Sequence, residues 1–300
     1  MVHVFYHRSD SDGKASGAII KKHLLDEKQD FVMHPYEYGE KFPDDIPVGD
    51  ELIFADIVVS PYEEMAKVID KYSPRITVVD HHKSFIEWLE KDQHCVLMGR
   101  LDTTKSACYL CWEHFFPELS VPQIIKLLSD YDIWNKDDKV KWEKIILPFQ
   151  SGIKAMDIDP ITNWNLWQAL FVFNPENEIT WINDTIDNGK AILDYQTIIN
   201  AGVIRSNAFE ASFDGLKAIC CNTNSRNSQT FISAWDENKY DLMIAFDIDK
   251  DGKYKVSLYT TRKDIDLSEI ARKHMGGGHS QAAGFTSSNM IRKENEILFT

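Results

Sequence analysis

Short apolar runs rich in branched residues recur along the first third of the chain, each followed by a segment with helical spacing. VHVFYH (2–7) reads as a strand, and Ala15, Ala18, Ile19, Leu24 and Leu25 recur as one face of a helix over 14–28. ELIFADIVVS (51–60) predicts a second strand, followed by a helix from Tyr62 to Lys71. RITVVDHH (75–82) predicts a third strand, with FIEWLEK as the next helix, and CVLMG (95–99) a fourth strand before a helix over 105–116. Strands alternating with helices imply βαβ units and a parallel sheet, and the continuous apolar character of the strands suits a sheet covered on both faces.

The pattern changes near residue 140. WNLWQALFVF and TWINDTIDNGKAILDYQTIINAG show helical spacing with no competing strand signal. Trp164, Trp167 and Trp181 in this stretch suit either a core or an interface. After Arg205 strands return as GLKAICCN, FISAWD, YDLMIAFDID and KYKVSLYTT, with an Asp-Gly hairpin turn in DIDKDGKY. DLSEIARKH then reads as a helix capped by Asp266. The expected organisation is an α/β protein in three parts: 1–140, a helical connector over 141–203, and a smaller mixed α/β domain over 204–300.

Composition narrows the setting. Apolar residues make up 43% of the 300, ordinary for a globular protein. No run of the length a membrane span needs is present, and MVHVFYHRSD reads as a first strand and not as a signal peptide. Five cysteines, Cys95, Cys108, Cys111, Cys220 and Cys221, form no disulfide framework, so a reducing cytoplasm is expected. Cys108 and Cys111 make one C-x-x-C with no second pair, and their apolar neighbours point to a core helix. A net charge of −14 argues against coating long nucleic acid, including long duplexes. Any nucleotide is then held in a local pocket, with cations supplying positive charge.

Candidate chemistry gathers where the strands end, the place where open parallel sheets bind ligands. The first strand ends in His7-Arg8-Ser9-Asp10-Ser11-Asp12-Gly13, the second carries Asp56, the third ends in Asp80-His81-His82, and Ser129-Asp130-Tyr131-Asp132 follows a helix. Taken singly, each is ordinary: Asp-x-Asp commonly serves turns and caps. Several carboxylates converge only with counter-charge, and carboxylate oxygens with imidazole nitrogen suit Mn²⁺ or Mg²⁺. Two such ions about 3.5–4 Å apart can activate water and stabilise a phosphoryl transition state.

These residues resemble the motifs of the DHH phosphoesterases that carry a DHH-associated C-terminal domain. VVDHH (78–82) is the naming motif; HRSDSDG (7–13), FAD (54–56), DTTKSACYL (102–110) and SDYD (129–132) resemble the others in order. VSLYTTR (256–262) and GGGHSQAAGF (276–285) resemble the signature of the C-terminal domain. The resemblance implies a two-manganese centre, with Mg²⁺ or Co²⁺ as substitutes, held by His7, Asp10, Asp12, Asp56, His81 and Asp130. Asp56 would bridge the ions, and Asp132 is the alternative to Asp130. Asp80 would support the histidines, and His82 would act at the scissile phosphate. Arg262, Gly276, Gly277, Gly278 and His279 would hold the far end of the substrate across a cleft between the domains.

The activity implied by the resemblance is hydrolysis of short oligonucleotides or of linear or cyclic dinucleotides to nucleoside monophosphates, as in the oligoribonuclease branch. The alternatives are a phosphomonoesterase acting on a 3′-phosphoadenosine 5′-phosphate type of substrate and a nucleotide-binding sensor without turnover. The sequence leaves open whether the chain works alone or as a homodimer.

Overall fold

The computed structural model describes residues 1–91, 98–172, 174–224, 227–293 and 295–300; at His279 it describes the backbone alone. The chain divides into two compact units, residues 1–192 and 193–300.

The first unit is built on five parallel strands: β1 (Val2–His7), β2 (Phe31–Tyr36), β3 (Glu51–Ala55), β4 (Ile76–Asp80) and β5 (Met98–Leu101), in the order β2-β1-β3-β4-β5. The crossovers carry α1 (Ser11–Asp26), α2 (Tyr62–Tyr72) and α3 (Lys83–Lys91). Then come α4 (Ala107–Phe115) and α5 (Gln123–Asp132). Alternate strand residues point to opposite faces, so the sheet supports two cores. Val2, Val4, Ile53, Ala55 and Val79 pack with α1, α4 and α5. Phe5, Leu52, Phe54, Ile76 and Val78 pack with α2 and Phe85. Cys108 and Cys111 are fully buried in the first of these cores, in keeping with a core helix.

Strand β2 has no clear alternation and contains Pro35, so the apolar pattern does not reveal it. It lies at the sheet edge. The bonds Val2 N–H to Asp30 O and Arg8 N–H to Tyr36 O set the even-numbered residues of β2 against β1. Pro35 therefore lies in the outward-facing set, where its missing N–H deprives the ladder of nothing.

The helical stretch expected as a separate connector belongs largely to the first unit. Trp142, Phe149, Ile153, Trp167, Ile182 and Ile186 share the core of α1 and α4. Trp167 is buried, while Trp164 and Trp181 are partly buried against the same cluster. The stretch comprises α6 (Lys139–Lys141), a π-helical turn (Trp142–Ile146), α7 (Leu147–Lys154), α8 (Trp164–Val172) and α9 (Pro175–Asn207), whose last residues enter the second unit.

The second unit is a mixed eight-stranded sheet. Its strands are β6 (Ala208–Phe213), β7 (Leu216–Asn222), β8 (Leu242–Ile248), β9 (Tyr254–Tyr259), β10 (Gly277–His279), β11 (Ala282–Ser287), β12 (Met290–Lys293) and β13 (Glu296–Phe299). Their order is β10-β11-β9-β8-β7-β6-β13-β12. The helix α10 (Leu267–Lys273) covers one face through Leu267, Ile270 and Ala271, and Asp266 caps it as expected by accepting the Ser268 N–H. The Asp-Gly turn joins β8 to β9 in an antiparallel hairpin. FISAWD is not a strand. Asn227 caps a 3₁₀ turn over Ser228–Phe231, which drives Phe231 wholly into the core, and turns follow. Of CVLMG, residues 95–97 lie outside the described residues, and β5 begins at Met98.

Candidate metal centre

Three strand ends and one helix end in the first unit deliver the polar residues. At the end of β1, Gly13 lets the first turn of α1 press against the strand: a Cβ there would meet the His7 carbonyl oxygen at 2.1 Å. Asp10 caps α1, its Oδ1 accepting the Gly13 N–H at 2.9 Å, and its Oδ2 stands 2.8 Å from His7 Nδ1. The helix-capping and site readings of this residue thus hold together, one for each oxygen. Asp12 is buried, and its two oxygens accept the N–H groups of Ala107 and Cys108, each at 2.8 Å, in the first turn of α4. An anion at a helix N-terminus is favoured by the exposed N–H groups and the helix dipole. The Ser-Ala-Cys segment that follows β5 therefore serves to hold Asp12.

Asp56 follows β3 with a left-handed backbone, φ 61°, its N–H bonded to Val79 O. That conformation is uncommon outside glycine, and asparagine and aspartate are the side chains that tolerate it best. Asp56 Oδ2 lies 3.5 Å from His7 Nδ1, and its Oδ1 lies 3.3 Å from His81 Nε2. His81 Nε2 also faces Asp132 Oδ2 at 3.3 Å and Asp12 Oδ2 at 3.7 Å. Asp80 is buried; its Oδ1 accepts the N–H groups of His81 and His82 and lies 2.7 Å from His82 Nδ1.

The structure draws Asp132, and not Asp130, to this cluster. On the α5 helix the two point differently: Asp130 accepts Lys141 Nζ at 2.6 Å and Asn135 Nδ2 at 2.8 Å. That lysine neutralises Asp130, whereas Asp132 meets His81. Of the expected ligands, His7, Asp10, Asp12, Asp56 and His81 come together in overlapping groups: His7 with Asp10 and Asp56, and Asp12 with His81 and Asp132. Asp56, Asp80, His81 and His82 form a third. Two neighbours of the cluster have no counterpart among the expected residues. Glu37 Oε1 stands 3.1 Å from His7 Nε2, and the Tyr38 ring lies against both His7 and His82. Glu37 is the first residue after β2, so it obeys the same strand-end rule as the others.

The electrostatics show what the group lacks. Burial, followed by the charge of Asp12, drives Asp56 well above the usual carboxylate range. Asp132 is pushed up to about 9 by burial and then by Asp12 and Asp56. Burial pulls His7 down, but its contacts with Asp10 and Asp56 prevail and raise it to about 11. For His82 too, burial pulls downward, but the Asp80 contact outweighs it and the shift is upward. Asp56 Oδ2, Asp80 Oδ2 and Asp132 Oδ2 are buried with no hydrogen-bond donor, and His7 Nδ1 approaches two carboxylates without hydrogen-bond geometry. Buried charges of one sign and unbonded lone pairs are costly unless a cation answers them. The donor set of carboxylate oxygens and imidazole nitrogens fits Mn²⁺ or Mg²⁺. Glu37 at His7 Nε2 leaves Nδ1 for a metal, the usual way a carboxylate orients a ligating histidine.

In the second unit the glycine run is the edge hairpin β10–β11, pairing Gly277 with Gly284 and Gly278 with Ala283. A side chain on Gly276 would strike Gly284 O at 2.1 Å, and one on Gly278, where φ is 136°, would strike Ala283. Packing of the hairpin explains those two glycines. Gly277 has open space where a Cβ would stand, so packing gives no reason for it. The guanidinium of Arg262, expected to be free for phosphate, is engaged: it reaches both oxygens of Asp264 at 3.0 and 2.5 Å, and also Asp241. The side chain of His279 lies outside the described residues.

The first unit thus sets carboxylates and imidazoles around Asp80-His81-His82 at the ends of a parallel sheet, and the second is a mixed sheet with a glycine-rich hairpin. Residues 218–299 match the family model of the DHHA1 domain. Uncharacterized protein R106 of Acanthamoeba polyphaga mimivirus is 27% identical over 314 residues, covering 96% of this chain and 68% of that protein. Among solved structures, the pGpG-specific phosphodiesterase PggH of Vibrio cholerae is similar with a TM-score of 0.45 and 14% identity, over 95% of this chain and 92% of the other. RecJ of Thermus thermophilus in complex with Mn²⁺ is similar with a TM-score of 0.48 and 15% identity, over 95% of this chain and 49% of that one.

Proposed function

We propose that the chain is a divalent-metal phosphodiesterase that hydrolyses short oligonucleotides or dinucleotides to nucleoside monophosphates, with manganese as its ion. One observation carries the reading: buried carboxylate oxygens of Asp56, Asp80 and Asp132 stand without donors within a cluster of imidazoles. His7, Asp10 and Asp56 would hold one ion, and Asp12, His81 and Asp132 the other, with Asp56 close to both groups. When bound, two such ions supply Lewis acidity and an activated water for phosphoryl transfer. Asp80 fixes His82 through Nδ1, which leaves His82 Nε2 as the ring nitrogen able to hold or give a proton at the phosphate. Asp12 is oriented by two backbone donors, so its geometry is set before substrate arrives. In the second unit, Gly277 and Arg262 would bind phosphate, Arg262 exchanging Asp264 for it.

The acidic surface favours short substrates, since a long strand is better held by a basic groove. The test is a panel of pApA, a longer RNA, a cyclic dinucleotide, 3′-phosphoadenosine 5′-phosphate and pyrophosphate, each offered with Mn²⁺ and with Mg²⁺. Preferential cleavage of pApA or the cyclic dinucleotide is the expected result. Dominant release of phosphate from the bisphosphate would replace the diester reading with a monoesterase, and no metal-stimulated hydrolysis at all would leave a binding protein without turnover. Asp56→Ala is expected to abolish metal-dependent hydrolysis in a protein that still folds; retained turnover would remove Asp56 from the centre.

A further inference from the structure

Three aromatic rings meet where the chain leaves α5: Tyr131 on the helix, Trp134 in the following loop and Trp142 at the start of the π-helical turn. Tyr131 and Trp142 are parallel, with centroids 5.7 Å apart and planes at 4°. Trp134 lies 6.4 Å from Tyr131 and 5.9 Å from Trp142, tilted by 27° and 24°. Three nearly parallel rings at such mutual distances form a terrace and not a column. Trp134 is 57% exposed. Lys136 Nζ stands over it, 4.1 Å from the ring centroid, and 4.9 Å from that of Trp142.

A surface tryptophan packed on its neighbours needs no function in general. Two features set this one apart. Its backbone is left-handed, φ 56°. The bonds Trp134 N–H to Tyr131 O and Asn135 N–H to Asp130 O close the α5 helix as a Schellman motif with Trp134 at the position that glycine normally fills. A bulky residue there is strained, so its ring contacts are held against a backbone cost that glycine would not carry. The second feature is Lys136. Acidic residues outnumber basic ones 47 to 33 in this chain. Yet among the described residues Lys136 has no carboxylate partner, and its ammonium lies over the two indoles. A strained, exposed indole beside an unpaired ammonium, two residues beyond an acid of the metal cluster, matches a nucleotide: a planar base to stack and a phosphate to pair.

We propose that Trp134 and Lys136 form the platform on which a base of the substrate stacks, with its phosphate drawn to Lys136. This rests on the nucleotide phosphodiesterase reading above, and the tests separate the two. Trp134→Gly removes the ring and relieves the backbone, so it is expected to keep or raise the melting temperature while weakening AMP binding about five- to a hundredfold in a calorimetric titration. Trp134→Phe keeps a stacking face and is expected to retain most of the affinity. Lys136→Ala is expected to weaken AMP and leave adenosine unchanged. In turnover, Trp134→Gly is expected to raise KM for pApA far more than it lowers kcat. If Trp134→Gly binds AMP as the unaltered protein does, or if the unaltered protein binds no AMP, the platform is refuted. Should hydrolysis be absent while AMP binding is lost in Trp134→Gly, the platform stands and the phosphodiesterase reading falls.

Discussion

Asp130 and Asp132 lie on one helix, two residues apart, and have different partners. Lys141 neutralises the first, and the second faces His81 and the buried acids. Sequence motif and spacing could not separate them, because the choice is made by which side of α5 each residue occupies and by a lysine eleven positions on. Asp132→Asn is expected to lower metal-dependent turnover by more than the roughly 10–100-fold typical of losing a partner to a metal ligand. Asp130→Asn is expected to leave turnover nearly unchanged and to reduce stability by about 0.5 kcal/mol, since its ion pair is partly open to water. Steady-state rates and chemical denaturation of the two variants decide the matter, and the reverse ranking would return the role to Asp130. His7, Asp10, Asp12, Asp56 and His81 were legible in the sequence because each follows or ends a run that is plainly a strand. Glu37 was not, because the strand before it was hidden.

At the scale of elements, the site depends on how closely α1 approaches β1. Gly13 makes that approach feasible, and Asp12 then reaches the N-terminus of α4. Gly13→Ala is expected to destabilise the fold by about 1–3 kcal/mol through overpacking and to displace His7 and Asp12 together. Metal affinity should fall along with the melting temperature; a variant with native affinity and native stability would contradict this account. The parallel sheet was legible because its central strands are apolar on both faces. Two edge strands were not: β2 has an interrupted pattern and β12 is largely exposed, since an edge needs to cover only part of its surface. FISAWD misled for the opposite reason. Its apolar residues are bunched by a capped turn that buries Phe231, and a strand is not needed to hide one ring.

Across the whole molecule, the largest carboxylate shifts fall in the candidate metal cluster, at Asp56 and Asp132. Without ions, Asp132 titrates near 9 and His7 near 11, against ordinary values of 3.8 and 6.5. Between each ordinary value and its raised one, the folded chain holds a proton that the unfolded chain has released. Stability of the metal-free protein therefore falls as pH rises through these ranges. Bound metal displaces those protons, so metal binding strengthens with pH. The rise in melting temperature on adding Mn²⁺ is expected to be larger near pH 8.5 than near pH 6, as differential scanning calorimetry with and without a chelator would show. An increment independent of pH would mean that ions bind elsewhere. The helical character of the stretch after residue 140 was legible in its spacing, but its tryptophans could not reveal which core they join; that depends on contacts with α1 and α4. Among the described residues no helix is long and apolar enough to cross a membrane.

The proline at the rim of the first unit has a bearing on solubility. Any extended segment arriving from solvent to lengthen the sheet beside β2 meets a missing donor at Pro35. Replacing it with valine would complete the row of donors, and light scattering of Pro35→Val at rising concentration is expected to show association that the unaltered protein resists.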